Sequence, residues 1–68
     1  MSAAQRLETY KQLSDLLNSY NFCESRMFKT KSVNAMYNYG CTLATIYTNV
    51  CALTDKLGID NPLNEVTL

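Results

Sequence analysis

The chain has 68 residues, 47% of them hydrophobic, with six Lys plus Arg balanced by six Asp plus Glu, three Cys, one Pro and no histidine. A chain this short makes one domain and buries only about 60% of the surface its unfolded form exposes, so a disulfide, a metal or self-association is expected to supplement its core. The odd cysteine number without a CxxC pair and the lack of histidine argue against disulfides and zinc, the apolar fraction argues against disorder, and zero net charge argues against a protein that lives by gripping phosphate backbones.

At the N-terminus, MSAAQRLETYKQ lacks the apolar core of about 7 to 15 residues that marks a signal peptide. Free cysteines in apolar surroundings fit a reducing compartment, so a cytoplasmic location is expected, the host cytoplasm if the chain is viral. A viral or mobile-element origin is an expectation resting on size alone. Ser2 and Gln5 match a capping box, and Leu7, Tyr10, Leu13, Leu16, Leu17 and Tyr20 follow at helical spacing. The pattern predicts a first helix over about Ala3 to Ser19.

Asn18, Ser19 and Asn21 compete for backbone hydrogen bonds and place a break there, with a short helix of its own over 22–28 and a polar connection from Lys29 to Ser32. One continuous helix running to Phe28 is the competing arrangement.

The second main helix, about Ser32 to Leu57, is the stronger prediction. Val33, Met36, Gly40, Leu43, Tyr47, Val50, Thr54 and Leu57 recur in steps of three and four, as the a and d positions of a heptad. Tyr37, Ala44 and Cys51 fall at e, and Tyr39, Ile46 and Leu53 at g, which widens the stripe beyond a two-stranded seam. For Tyr37, Tyr39 and Tyr47, packing on the core side with the hydroxyl at the rim is the expectation. Gly58 can close the helix in the left-handed conformation, Ile59 can fold back toward Leu53, and Pro62 forbids resumption. The tail, 59–68, reads as extended, with Leu63 and Val66 as docking points. A helix from Ser32 to Leu57 is about 39 Å long and one from Ala3 to Ser19 about 26 Å, so the first cannot cover the second. The predicted fold is therefore all-α: a helical hairpin whose wide stripe is covered by a second copy, giving a dimeric four-helix arrangement.

From Ser32 to Thr54 the chain runs 23 residues without a charge. Its outer positions Asn34, Asn38, Cys41, Thr42, Thr45, Thr48, Asn49 and Ala52 are neutral, where a solvated helix carries Lys and Glu. Interfaces are depleted of charge at their centre, so these eight are the candidate partner or oligomer interface, with Val33, Met36, Gly40, Leu43, Tyr47, Val50 and Leu57 as the self-packing seam. The bland alternative is an uncharged face with no partner. A membrane span is set aside because the Asn and Thr side chains would each need a partner in hydrocarbon. Gly40 and Ala44 form a small-xxx-small pair, which serves helix crossings in water as well as in lipid.

Arg26, Lys29 and Lys31, interleaved with Phe28, are the one basic cluster and the candidate contact for phosphate or an acidic partner. Three charges are few for a nucleic-acid binder, and a solvated turn is the commoner role. For catalysis there is no histidine, no Gly-rich phosphate loop and no acidic metal motif, and Cys41 and Cys51 lie mid-helix while Cys23 neighbours Glu24. No enzyme activity and no cofactor are expected. The sequence points to a small self-associating helical protein, a homodimer or higher oligomer, that binds another protein as inhibitor, adaptor or sequestering factor. An RNA- or DNA-binding helical dimer and a structural subunit of a larger assembly are the alternatives.

Overall fold

In this computed structural model the described residues are 1–65, which form two long antiparallel helices, α1 (Ala3–Lys29) and α2 (Val33–Leu57), and a closing 3-10 turn over Pro62–Glu65. Among the described residues there is no strand. The predicted all-α hairpin is the architecture observed.

The start of α1 is fixed by the capping box. Ser2 Oγ accepts from the Gln5 amide at 3.2 Å, and the Ser2 amide donates to Gln5 Oε1 at 2.9 Å. The predicted break at Asn18 to Asn21 does not occur, and no separate helix spans 22–28: α1 runs unbroken through both. Each Asn or Ser costs only about half a kcal/mol relative to alanine. Leu16, Leu17, Tyr20 and Cys23 pack against the core along the same stretch, and their burial outweighs that propensity. At 27 residues against 25, the two helices are about 40 and 38 Å long, so the expected mismatch in length disappears and each covers the other from end to end.

The buried stripe of α1 also differs from the predicted one. Leu7 is 72% exposed and Tyr10 is exposed, while Thr9 is buried with its hydroxyl donating to the Gln5 carbonyl at 2.8 Å. Leu7 and Leu13 are six residues apart, about 240° around a helix, and cannot share a face. The true row is Thr9, Leu13, Leu16 and Leu17, Tyr20, Cys23.

Three residues, Thr30 to Ser32, join the helices. The Thr30 amide donates to the Arg26 carbonyl at 3.0 Å, the Ser32 amide donates to Thr30 Oγ1 at 3.3 Å, and Ser32 Oγ caps α2 by accepting from the Ala35 amide at 3.3 Å. At the far end Gly58 takes φ 70°, and the amides of Gly58 and Ile59 donate to the carbonyls of Asp55 and Thr54, the two bonds of a Schellman motif. Ile59 then packs on the same cluster as Leu53, as the sequence predicts.

The core is Leu13, Ile46, Val50 and Leu57. Along the predicted heptad seam, Leu43, Val50, Thr54 and Leu57 are buried and Gly40 half-buried, but Met36, Tyr47 and Val33 are exposed, Val33 by 77%. The buried row leans instead toward the g side, through Ile46 and the half-buried Tyr39 and Leu53. Tyr37, at e, stands exposed rather than on the core side. Thr54 sits in the core because its hydroxyl is satisfied, bonded to the carbonyls of Val50 and Cys51 at 3.0 Å each.

The described part of the tail is not extended. Asn61 is buried, donating through Nδ2 to Cys51 Sγ at 3.1 Å and accepting through Oδ1 from the Leu63 amide at 2.9 Å, while the Tyr47 hydroxyl donates to Asn64 Oδ1 at 2.7 Å. This folds residues 59–64 back against α2, with Leu63 packed on the core; Val66 lies outside the described residues. The whole measures 45 × 24 × 14 Å. Its thinnest dimension is little more than one helix diameter, so the protein is a single layer two helices wide.

Candidate interaction surfaces

All eight predicted interface residues, Asn34, Asn38, Cys41, Thr42, Thr45, Thr48, Asn49 and Ala52, are exposed on α2. The hydroxyls of Thr42, Thr45 and Thr48 donate to the carbonyls of Asn38, Cys41 and Ala44 at 3.0, 3.1 and 3.0 Å. A threonine whose donor is held by its own helix leaves its methyl as the group that solvent or a partner meets. Covering such a face requires little desolvation, because the polar hydrogens are already paired and no ion has to be stripped of water.

The eight form one strip, all within about a third of the circumference of α2. Successive residues turn by about 100°, which puts Asn34, Cys41, Thr45 and Thr48 on the side of α2 away from α1 and swings Thr42 and Asn49 toward one edge of the hairpin. That edge is part of a second feature. A groove follows the junction of the two helices as three adjoining hollows. The first, about 670 Å³ and nearest the connection, is lined by Phe22, Ser25, Arg26, Lys29, Thr30 and Tyr39. The second, about 520 Å³, shares Phe22 and adds Leu16, Asn18, Ser19, Cys23, Thr42 and Ile46. The third shares Leu16 and adds Gln12, Asp15, Asn49, Ala52 and Leu53. Beyond Gln12 it continues to Glu8 and Lys56, whose charges cancel.

Phe22 stands at the middle of this groove, 58% exposed, with the Arg26 guanidinium 5.0 Å from its ring centroid. Sequence reading singled out Arg26, Lys29 and Lys31 and missed the groove. Its signal was present in the steps Asp15, Ser19, Phe22, Arg26, Lys29, one row along α1, but that row becomes meaningful only once α1 is continuous. Arg26 and Lys29 lie in the groove; Lys31 is exposed on the connection.

The opposite flank of the hairpin, around Tyr47 and Cys51, is where the tail is tied down. The Cys51 thiol beside Tyr47, together with partial desolvation, holds that phenol above its ordinary value of 10.0. Cys23 and Cys51 are half-buried free thiols and Cys41 is an exposed one. Among the described residues no group of His, Cys, Asp or Glu is placed to hold a metal, no buried side-chain polar atom lacks a partner, and no helix is long and apolar enough to cross a membrane.

Comparison with protein-family models, with curated proteins and with solved structures finds no match to this chain.

Proposed function

We propose that this chain is a non-enzymatic, self-associating helical protein that acts by binding another protein, as inhibitor, adaptor or sequestering factor. The observation that carries the reading is the outer side of α2, where Asn34, Asn38, Cys41, Thr45 and Thr48 are exposed, uncharged and, at both threonines, already bonded within the helix. Hydrated Lys and Glu resist burial, whereas a row of this kind is cheap to desolvate, which matches the charge-depleted centre of protein interfaces. Catalysis has no comparable support.

The test is Thr45→Glu. Position 45 is exposed, so helicity by circular dichroism is retained. Recovery of one stoichiometric protein on tagged chain from the native host, abolished by T45E, supports the reading; retention of that protein by T45E counts against the outer side of α2.

A second reading is favoured by the gathering of Arg26 and Lys29 with Phe22 and Tyr39 in one hollow, cations beside flat rings that could meet phosphate and base. Under it the copurifying molecule is RNA, and its retention falls steeply as salt is raised.

A further inference from the structure

We infer that the groove along the α1/α2 junction is the seat of a second copy of this chain, laid antiparallel so that Arg26 of each copy meets Asp15 of the other. The inference rests on the self-association reading and adds the surface and the orientation.

The first argument is thickness. Domains are built from at least two packed layers, and this chain is one layer, 14 Å deep, with broad flanks of 45 by 24 Å. In the register derived below residues 12–29 of the two α1 helices overlap over about 27 Å, a projected area on the order of 650 Å² per copy, inside the roughly 600 to 1,000 Å² per partner that specific interfaces bury. The second argument selects the flank. Around Tyr47 and Cys51 the chain covers itself, with Asn61 and Asn64 holding the tail in place. Among the described residues no segment covers the groove flank in this way, and Phe22 stands in its middle 58% exposed.

The third argument is charge, which sets the orientation. Near the connection the groove carries Arg26 and Lys29; toward the chain ends it carries Asp15, followed by the cancelling Glu8 and Lys56. Two such flanks can meet face to face about an axis that lies between them and runs either along the helices or across them. Along the helices, the connections coincide and Arg26 and Lys29 of both copies crowd together. Across the helices, α1 packs antiparallel on its counterpart and the basic stretch of one copy faces Asp15 of the other. Like charges brought together in an interface are penalised, so the antiparallel choice follows. Pairing 26 with 15 puts the axis between residues 20 and 21, which sets Ser19 beside the other copy's Phe22. The large ring thus meets a small residue at the centre, where anchors carry most binding energy. The part of α2 around Asn34, Cys41 and Thr48 points away from the groove, so one protein has a face for its own copy and a neighbouring one for a partner.

The experiment is solution mass by sedimentation equilibrium on the full chain and four variants. The wild type is expected at twice the 7.7 kDa chain mass. Phe22→Glu is expected to weaken the dimer by about 100-fold or more, because two anchors are lost per interface. Arg26→Asp and Asp15→Arg are each expected to weaken it about tenfold, and the double variant D15R/R26D to restore it. These residues are 11 positions apart on α1, about 16 Å, so rescue cannot arise within one chain. A double variant no tighter than either single overturns the orientation. A dimer indifferent to Phe22→Glu overturns the surface while self-association stands, and a monomer at every concentration with helicity intact overturns both.

Discussion

The two ends of the hairpin are built from similar residues and are treated very differently by the fold. At the end carrying the chain termini, Leu13, Val50 and Leu57 are buried, Val50 completely, and Ile59 and Leu63 close over them. At the connection end Phe28 and Val33 are each 77% exposed, and Met36 and Tyr37 are exposed beside them. Hydrophobic residues are as frequent at one end as at the other. What differs is cover: a third segment folds back over the first end, and among the described residues the second has two helices alone. Two helices bury the row at their contact, as with Ile46, but the apolar residues flanking that row are covered only where a third element meets them, and in a single layer that element must come from the tail or from another molecule.

The contrast predicts where stability resides. Leu13→Ala removes a side chain at the centre of the core and is expected to cost about 2 to 5 kcal/mol. A domain of this size typically has only about 3 to 5 kcal/mol in total. The variant is therefore expected to be largely unfolded in water at 25 °C, read as loss of helical circular dichroism and recovered by added osmolyte. A cooperative urea transition at nearly the wild-type midpoint would place the weight of the fold elsewhere.

Asn61→Ala tests the cover itself. It removes the bond to Cys51 Sγ and strands the Leu63 amide, and is expected to cost about 1 to 2 kcal/mol. The loss should appear as lower denaturation midpoints together with fast amide exchange at Leu63 and Asn64, while the middle of α1 keeps its protection.

The same cover should loosen in alkali. The Tyr47 phenol, raised by Cys51 and by desolvation, donates to Asn64 Oδ1. A group whose value is raised on folding stabilises fully below its unfolded value, here the ordinary 10.0, and loses that contribution as pH rises through the elevated folded value. Phenolate cannot donate the bond. Amide resonances of residues 61–64 are expected to shift above pH 10, and Tyr47→Phe, which has neither the bond nor the proton, should show no such step.

How far this was readable in advance depended on whether the deciding interaction was local. The Ser2 and Gln5 cap, the Gly58 stop and α2 with its uncharged run to Thr54 are written in neighbouring residues, and each stands where the sequence placed it. The break at Asn18 to Asn21 failed because propensity is a local quantity, and the burial of Tyr20 and Cys23 that overrides it depends on α2, a separate element on the far side of the connection. The length argument failed with it, since it assumed a short α1. Asn61 reads as one more polar tail residue until the fold brings Cys51 beside it. The eight outer positions are exposed in the single chain and their neutrality is local, whereas the groove needed both helices in register before Phe22, Thr42 and Asp15 could be seen on one flank.

The smallest effect belongs to the connection end and is the most discriminating. Phe28 projects into solvent beside a three-residue link, and Val33 opens α2 with nothing over it. Replacing Phe28 with Ser or Val33 with Thr removes little buried area, so each should change stability by no more than about 0.5 kcal/mol, or roughly 2 to 4 °C in Tm. The same two changes remove apolar surface that keeps the protein sticky, and should raise its solubility limit. If either variant instead loses stability in a concentration-dependent way, its midpoint falling further in dilute protein, the connection end is covered by another molecule in solution. The antiparallel pairing leaves Phe28 uncovered, because two residues turn about 200° and set it on the side of α1 opposite Arg26, so that result would reveal a contact besides the groove, and a cross-link from position 28 reports what is there.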